Sequence, residues 1–197
     1  MKRVAAVVTA AGYGRRYGSE RKLAATLAGR PVLAWTLDNL RELPLARRIL
    51  VVAPGDEAAA GLAQAAGMSL VVNRDPAQGL GASIACGVRA LAPALDGVLV
   101  VLGDMPRVQG TSIAALLARF DTLPDSAVVA PVHRGRRGHP VLFGAAHFPA
   151  LAALTGDEGA RAVLAAAALT PVDVDDPGVL LDIDTPADLV AAIEKGI

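Results

Sequence analysis

The sequence predicts a single α/β domain over residues 1–197, built as a doubly wound, mostly parallel β-sheet flanked by helices. Short apolar runs rich in Val recur along the chain, and such continuous runs are typical of strands buried on both faces of a parallel sheet. Helical patterns separate these runs. No repeat or low-complexity linker divides the chain, and 53% hydrophobic residues are enough to fill one core.

Strands are predicted where β-branched apolar runs are bounded by turn residues. The ends of these strands should form the ligand crevice, because ligands of open α/β sheets bind outside the carboxyl ends of the strands. The predicted strands are Val4–Val8, Ile49–Ala53, Ser69–Val72, Gly97–Gly103, Ala127–Val132 and a shorter Val141–Phe143.

Helices are predicted between and after the strands. Pro31 suits a first helical turn, and Gly67 suits the position just beyond a helix end. The acidic stretch at residues 172–189 leads into the last helix, and no strand is predicted there. The predicted helices are Pro31–Leu40, Glu57–Ala66, Ser83–Leu91, Thr111–Phe120, Pro149–Leu154, Gly159–Ala168 and Pro186–Lys195.

Composition excludes several functional classes. The 19 Lys and Arg residues balance 19 Asp and Glu residues and aromatics make up 3%, so the chain lacks the basic surplus and the stacking side chains of nucleic-acid-binding proteins. No apolar run approaches the ~18 residues of a membrane-spanning helix. The single cysteine, Cys86, excludes an internal disulfide and a multi-cysteine metal site. We therefore expect a cytoplasmic protein that acts on small molecules, with no nucleic-acid or membrane partner.

A glycine-rich segment, TAAGYGRRYG at residues 9–18, follows the first predicted strand. Gly12 and Gly14 let the backbone approach a ligand closely and direct N–H groups toward it. Arg16, Lys22 and a neighbouring arginine add positive charge, so the segment predicts a cradle for a polyphosphate. Its spacing fits neither the dinucleotide fingerprint GxGxxG nor the P-loop GxxxxGK[ST], which disfavours an NAD-dependent oxidoreductase.

Carboxylates are predicted at the same edge of the sheet. Asp104 follows an apolar strand in LGDMP, where it is well placed to hold Mg²⁺, an ion that takes oxygen ligands and bridges to phosphates. Asp182 and Asp184 are two residues apart in LLDIDTP, so an extended segment would point both to one side. Asp184 can instead cap the last helix, ahead of Pro186.

The segment AAGYGRRYGSERK at residues 10–22 resembles the AAGxGxRxG…K signature of nucleotidyltransferases. Further segments, QGLGASIACG, LGDMP, GHPVLF, GDEGAR and DIDTPADL, follow in the order of the MobA-like group and are most similar to molybdenum cofactor cytidylyltransferases. The resemblance covers nearly the whole chain. It implies a Rossmann-like nucleotidyltransferase fold and transfer of a nucleoside monophosphate from an NTP to a phosphorylated acceptor, with release of pyrophosphate.

The resemblance also implies CTP as the nucleotide, Mg²⁺ as the cofactor and a role for each site residue. Arg16 and Lys22 would neutralise the pyrophosphate, and Asp104 would be the principal metal ligand. The second metal ligand would be Asp182 or Asp184, and Ser83 would bond the pyrimidine edge of the base. The predicted nucleotide-binding residues are Ala10, Ala11, Gly12, Gly14, Arg16, Lys22, Asn73, Gly79, Ser83 and Asp104. For Asn73, just beyond the third strand, a plain loop role is equally open.

The basic stretch at residues 133–140 concentrates charge in an otherwise neutral protein and suits an anionic acceptor. By resemblance, His139, Asp157 and Arg161 would contact this acceptor, a molybdopterin-type cofactor. The same resemblance implies hand-over of the product to a molybdoenzyme or its chaperone.

Other interpretations stay open at this level. Ser83 and Asp157 each suit a helix N-cap, and the basic stretch suits a solvated turn. Within transfer chemistry, the alternatives are guanylyl transfer and action on a sugar phosphate. A different class of function is a non-catalytic nucleotide sensor or cofactor chaperone that kept the fold.

Overall fold

One β-sheet with helices on both faces forms the centre of the protein. The computed structural model describes residues 1–12, 17 and 22–194. The strands in chain order are β1 Val4–Thr9, β2 Thr26–Leu27, β3 Arg30–Pro31, β4 Arg47–Val52, β5 Ser69–Val72, β6 Gly97–Leu102, β7 Val128–His133, β8 Arg136–Arg137, β9 Val141–Gly144 and β10 Leu169–Asp173. The helices are α1 Val32–Asp38, α2 Glu57–Ala65, α3 Leu80–Arg89, α4 Gly110–Asp121, α5 Phe148–Ala152, α6 Arg161–Ala166 and α7 Pro186–Glu194.

The order of the strands creates a switch point beside β1. The sheet order is β10-β7-β9-β6-β1-β4-β5, with β8 paired to β7, while β2 and β3 form a separate hairpin. β1 pairs in parallel with both β4 and β6, and β5 continues in parallel beyond β4. The chain thus builds outward from β1 to β5 and then returns to the other side of β1 as β6. In open α/β sheets, ligands bind at the carboxyl ends of the strands at such a point.

Two apolar clusters cover the two faces of the sheet. On one face, Val4 and Val8 of β1 belong to a cluster with residues of α1, α2 and α4. On the other face, Val7 belongs to a cluster with residues of α3, α5 and α6. Burial on both faces explains why β1 is apolar at nearly every position. None of the described helices combines the length and the apolar character needed to cross a membrane.

The predicted fold class is confirmed, including the mostly parallel sheet with helices on both sides. The antiparallel strand β9, between β6 and β7, makes one end of the sheet mixed. β10, which pairs in parallel with β7, is a strand that the sequence analysis did not predict. β10 lies at the sheet edge, is only half-buried and contains Pro171, which removes a strand signal.

The start of α3 also differs from the prediction. Gly79 has a φ of +89° and lies at the N-cap position, so the helix begins at Leu80 rather than at Ser83. A residue with a side chain rarely adopts such a φ, which makes glycine suited to this start. Ser83 lies inside the first turns of α3, and the interpretation of Ser83 as an N-cap is wrong.

Gly87 provides a test of how tightly α3 packs on the sheet. A Cβ at this position would overlap Cγ1 of Val7 in β1 and would lie 2.9 Å from Cγ2 of Val51 in β4. We predict that Gly87→Ala lowers the free energy of unfolding by about 1–3 kcal/mol, because buried strands cannot move aside freely. The measurement is urea unfolding followed by circular dichroism.

Gly61→Ala is the matched control. Gly61 is exposed in α2, and an added Cβ would meet nothing within 4 Å. Alanine should therefore stabilise this helix by about 0.5–1 kcal/mol, since glycine loses more conformational freedom on folding. Equal effects of the two substitutions would contradict the described packing of α3.

Candidate active site

A cavity of about 550 Å³ lies at the carboxyl ends of β1 and β6. Thr9 and Gly12 reach it from the end of β1, and Leu102 and Asp104 reach it from the end of β6. The cavity therefore occupies the switch point of the sheet. The rest of the described wall consists of Ala10, Lys22, Leu23, Pro76, Ala77, Gly79, Leu80, Ser83, Asp157, Arg161, Asp182 and Asp184.

Lys22 bridges two carboxylates at this wall. Its Nζ donates to Oδ2 of Asp104 at 2.6 Å and to Oδ1 of Asp184 at 2.9 Å. Burial alone would lower the pKa of Lys22, but the charges and hydrogen bonds of the two aspartates outweigh burial and raise this pKa. Lys22 is therefore a cation near neutral pH.

Two backbone contacts hold Asp104 in place. Gly103 N donates to Thr9 O at 3.0 Å, and a Cβ on Gly103 would lie 2.8 Å from that oxygen. Ile183 N donates to Asp104 O at 2.9 Å, which brings the segment with Asp184 alongside. Among the described residues, Asp104 Oδ1 is buried and has no hydrogen-bond partner. A buried carboxylate oxygen normally binds a donor or a cation, so this atom indicates where a ligand contact is expected.

A capping box starts α7 next to Asp184. Thr185 Oγ1 accepts from Asp188 N at 3.2 Å, and Asp188 Oδ2 accepts from Thr185 N at 2.7 Å. Asp188 Oδ2 also accepts from Asp184 N at 3.1 Å. Thr185 and Asp188 thus cap this helix, and the interpretation of Asp184 as its cap is wrong. The side chain of Asp184 contacts Lys22 instead.

Ser83 contributes a hydroxyl to the cavity from inside α3. Asn73 Nδ2 donates to Ser83 Oγ at 3.1 Å, and both residues are buried. Asn73 is held in turn, because its Oδ1 accepts from Asp75 N at 3.1 Å. Since the Ser83 oxygen accepts a hydrogen bond, its own hydrogen can be donated to a ligand.

The start of α3 packs closely on the loop that carries Asp157. Gly81 N donates to Gly156 O at 2.8 Å, and a Cβ on Gly81 would lie 2.6 Å from a backbone oxygen of this loop. The close approach places Asp157 and Arg161 on the wall of the cavity. α6 begins at Arg161 with Ala160 before it, so the interpretation of Asp157 as a helix N-cap is wrong.

A second cavity, of about 370 Å³, adjoins the first. Its wall combines cationic residues of the basic stretch with apolar residues of the sheet. The residues common to both walls are Leu80, Leu102, Asp157, Arg161 and Asp182. The residues that give the second wall its mixed character are Arg136, Arg137, His139, Val100, Val141 and Phe143.

His139 is a partly buried titratable group of the second cavity. Its Nδ1 is buried and has no hydrogen-bond partner among the described residues. Burial, with the guanidinium groups of Arg137 and Arg161, lowers the pKa of His139, although Asp182 acts in the opposite direction. The imidazole is therefore neutral near pH 7 and can bond a ligand through Nδ1.

Comparison with protein families shows the family of the chain. Residues 6–172 match the MobA-like NTP transferase domain. The chain belongs to this family. The matched range includes the end of β1, Lys22, Ser83 and Asp104, whereas Asp184 lies beyond it.

Relatives that align with most of this MobA-like chain carry different names. Molybdenum cofactor cytidylyltransferase of Escherichia coli strain K12 is 26% identical and covers 99% of this chain and 98% of its own length. Nicotine blue oxidoreductase of Paenarthrobacter nicotinovorans is 30% identical and covers 82% of this chain and 81% of its own. The chain spans only 26% to 58% of the length of four other curated relatives.

Solved structures of one mycobacterial protein share the whole fold. Rv0371c of Mycobacterium tuberculosis H37Rv has a TM-score of 0.83 and 28% identity, with 98% of each chain covered. A structure of Rv0371c in complex with manganese has a TM-score of 0.82 and 25% identity, also with 98% of each chain covered. The fold of the chain is thus that of an established protein structure along its full length.

The structure brings most of the predicted site residues to the two cavities. Ala11 is buried, and Asn73 is buried and donates a hydrogen bond to Ser83. Neither is therefore among the residues of the described wall. His139 lines the second cavity, whereas Asp157 and Arg161 line both. Gly14 and Arg16 lie outside the described residues, so their roles stay predictions.

Several wall residues carry no chemical signal in the sequence. Leu80 and Leu102 line both cavities, and Pro76 and Ala77 line the first. Leu80 lies between two glycines of the QGLGASIACG segment, and that position is the one signal that could have identified it. The apolar residues of the walls are of the same types as those of the core, so the sequence does not distinguish them.

The carboxylates of the first cavity fit a divalent cation. Among the described residues, no group of three or more His, Cys, Asp or Glu side chains forms a ready metal cage. Mg²⁺, however, is usually bound by one or two carboxylates and by substrate phosphates. Asp104 and Asp184 already share one cation, the ammonium of Lys22. Asp182 lies beside them, and burial, together with these two carboxylates, raises its pKa.

The pH dependence of stability should report on His139. Because the pKa of His139 is lowered on folding, the unfolded chain binds this proton more readily, and stability is lost as the pH falls below the unfolded value of 6.5. We predict that the unfolding free energy of His139→Gln changes less between about pH 7.5 and about pH 5.5 than that of the wild type. Urea unfolding at both pH values measures the unfolding free energies. An equal change in the variant and the wild type would contradict a neutral imidazole whose pKa is lowered by folding.

Proposed function

We propose that this MobA-like protein is a Mg²⁺-dependent nucleotidyltransferase that transfers CMP from CTP to a phosphorylated acceptor, a molybdopterin-type cofactor, and releases pyrophosphate. The observation that carries the proposal is the ammonium of Lys22 between Asp104 and Asp184, on the wall of the switch-point cavity. This set offers a cation for phosphate oxygens and carboxylates for a divalent ion. The proposal includes a cytoplasmic location.

The choice of CTP rests on Ser83 and on one relative. The buried Asn73–Ser83 pair orients a hydroxyl at the cavity wall, where it suits the hydrogen-bonding edge of a base. The relative named molybdenum cofactor cytidylyltransferase aligns with 99% of the chain. A single hydroxyl does not distinguish cytosine from guanine, so the alternative of guanylyl transfer is tested together with CTP.

In the proposed reaction, a phosphate oxygen of the acceptor attacks the α-phosphorus of the nucleotide, and the bond from that phosphorus to the departing pyrophosphate breaks. A phosphate monoester has a second pKa of about 6 and is already anionic, so the step needs no general base. Lys22 would neutralise the charge that gathers on the pyrophosphate, and a cation already placed beside the phosphates when the reaction begins lowers the barrier. Gly12 would add a backbone N–H at the same wall. Arg16 stays a predicted second cation.

Asp104 and Asp184 would hold the divalent ion. When bound, such an ion supplies positive charge to the triphosphate oxygens. The buried Oδ1 of Asp104, which has no partner among the described residues, supports Asp104 as the principal ligand. The structurally similar protein Rv0371c has been solved in complex with manganese, which supports a divalent ion here.

The second cavity is the proposed acceptor site. Arg136, Arg137 and Arg161 would bind anionic groups of the acceptor, and the half-buried Leu164 and Leu180 offer an apolar surface. This mixture suits a ring-containing anion better than a polyhydroxylated sugar phosphate, which would need more hydrogen-bonding partners. A molybdopterin-type product would then pass to a molybdoenzyme or its chaperone.

An oxidoreductase is the second candidate function. The observation that favours it is the relative named nicotine blue oxidoreductase, which is 30% identical over 82% of the chain. The spacing of Gly12, Gly14 and Gly18 lacks the third glycine position of the dinucleotide fingerprint. Nicotinamide cofactors therefore belong in the same binding experiment.

A thermal-shift panel tests the proposed nucleotide. CTP, GTP, ATP, UTP, NADH and NADPH are each compared in the presence of Mg²⁺, and CTP is expected to give the largest rise in melting temperature. A ligand at 100 times its Kd stabilises by about 2.7 kcal/mol, which such a panel resolves. Preference for GTP would overturn the cytidine assignment, and preference for NADH or NADPH would favour redox chemistry. Binding of CTP without pyrophosphate release would favour the sensor or chaperone.

Two substitutions test the assigned roles. We predict that Asp104→Ala and Lys22→Ala each lower kcat for pyrophosphate release by about 10²–10³-fold, because each removes charge that acts on the reacting phosphates. Circular dichroism and melting curves check that the variants fold.

Asp125→Ala is the control for these variants. Asp125 is 58% exposed, pairs with Lys2 and is absent from the walls of both cavities. Its removal should leave turnover at the wild-type level. Comparable turnover of folded Asp104→Ala or Lys22→Ala would contradict the proposed roles.

A further inference from the structure

We infer that Lys22 occupies the cation position between Asp104 and Asp184 while no nucleotide is bound, so that the site takes up a divalent ion tightly only together with a nucleoside triphosphate. The inference rests on the proposed nucleotide site and goes beyond it, because it assigns an order to the binding of metal and nucleotide. Lys22 acts here as a positioning residue for the two carboxylates.

The geometry is that of an occupied cation site. Lys22 Nζ lies 2.6 Å from Asp104 Oδ2 and 2.9 Å from Asp184 Oδ1, although these residues are 82 and 162 positions away in the sequence. The three side chains are only 14%, 18% and 25% exposed. Two facing carboxylates at such burial would destabilise the fold without a cation, so the ammonium stabilises the protein before any ligand binds.

A divalent ion and Lys22 compete for the same pair of carboxylates. One oxygen of each carboxylate already accepts from Nζ, and an ion bound to both carboxylates would lie beside the ammonium, where two like charges repel. Binding of the metal alone therefore requires Lys22 to leave a buried position with no compensating anion. The expected consequence is weak metal binding by the free protein.

A triphosphate removes this conflict. Its oxygens give the ammonium new anionic partners, and the flexible stem of a lysine allows its charge to move within the cavity. The carboxylates of Asp104 and Asp184 are then released to the ion that accompanies the phosphates. Metal and nucleotide should each raise the affinity for the other, as linkage requires.

The test is a titration with Mn²⁺ in the absence of nucleotide, followed by electron paramagnetic resonance of the free ion. We expect Lys22→Met, which keeps an unbranched side chain one atom shorter and removes the charge, to bind Mn²⁺ at least about tenfold more tightly than the wild type. Lys22→Arg keeps the cation and should bind Mn²⁺ as weakly as the wild type. Equal or weaker binding by Lys22→Met would overturn the inference.

Two further variants make the result specific. In Lys22→Met combined with Asp104→Asn, the gain in Mn²⁺ affinity should disappear, which assigns the ion to this pair of carboxylates; a retained gain would overturn the inference. Lys22→Gln replaces Lys22→Met if the latter does not fold. The wild type supplies a measurement that needs no variant, since Mn²⁺ alone should raise its melting temperature far less than Mn²⁺ with CTP. Where CTP with Mg²⁺ stabilises the protein, a rise with Mn²⁺ alone as large as the rise with Mn²⁺ and CTP would also overturn the inference.

Failure of the inference and failure of the proposed function give different results. If the wild type binds CTP with Mg²⁺ and releases pyrophosphate but also binds Mn²⁺ tightly alone, only the order of binding is wrong. If no nucleoside triphosphate stabilises the protein, the proposed function is wrong. The comparison of Lys22→Met with the wild type still measures the competition in that case.

Discussion

The ion pairs of Lys22 connect three parts of the chain that are far apart in the sequence. One ammonium joins the segment after the glycine-rich stretch, the end of β6 and the segment before α7. Exposed ion pairs contribute little to stability because water and salt screen them. These side chains are mostly buried, so their attraction is screened less, and the raised pKa of Lys22 keeps the cation charged. The arrangement of the first cavity depends on this contact.

Close backbone approaches bring those segments within reach of one lysine. Gly103 allows the end of β6 to bond Thr9 at the end of β1, and the backbone bond between Ile183 and Asp104 aligns the segment before α7. Gly81 plays the same part on the other side of the site, where α3 meets the loop at Gly156. Short-range contacts between backbones thus determine where the functional side chains lie.

The sequence was sufficient for the fold class and for the edge of the sheet that carries the site. Strands buried on both faces appear as continuous apolar runs, and the topology of an open sheet places ligands at their carboxyl ends. The sequence was insufficient where the role of a residue depends on contacts between distant segments. Asp182 and Asp184 look equivalent by spacing, and the contact of Asp184 with Lys22 depends on the folded positions of both segments, with Thr185 and Asp188 capping α7. For the second cavity, the basic stretch and the resemblance indicated His139, Asp157 and Arg161, but the apolar part of its wall joins distant segments and gave no signal.

The net charge of the first cavity explains why the ammonium of Lys22 alone is insufficient to attract a triphosphate. The described wall has four carboxylates against one ammonium and one guanidinium, a formal excess of two negative charges. Such a wall repels a polyanion unless more positive charge arrives. A divalent ion on two of the carboxylates would cancel that excess. The arginines of the glycine-rich segment would add further positive charge. The acidic residues are therefore consistent with phosphate chemistry only if metal and nucleotide bind together. The charged residues of this wall are Lys22, Asp104, Asp157, Arg161, Asp182 and Asp184.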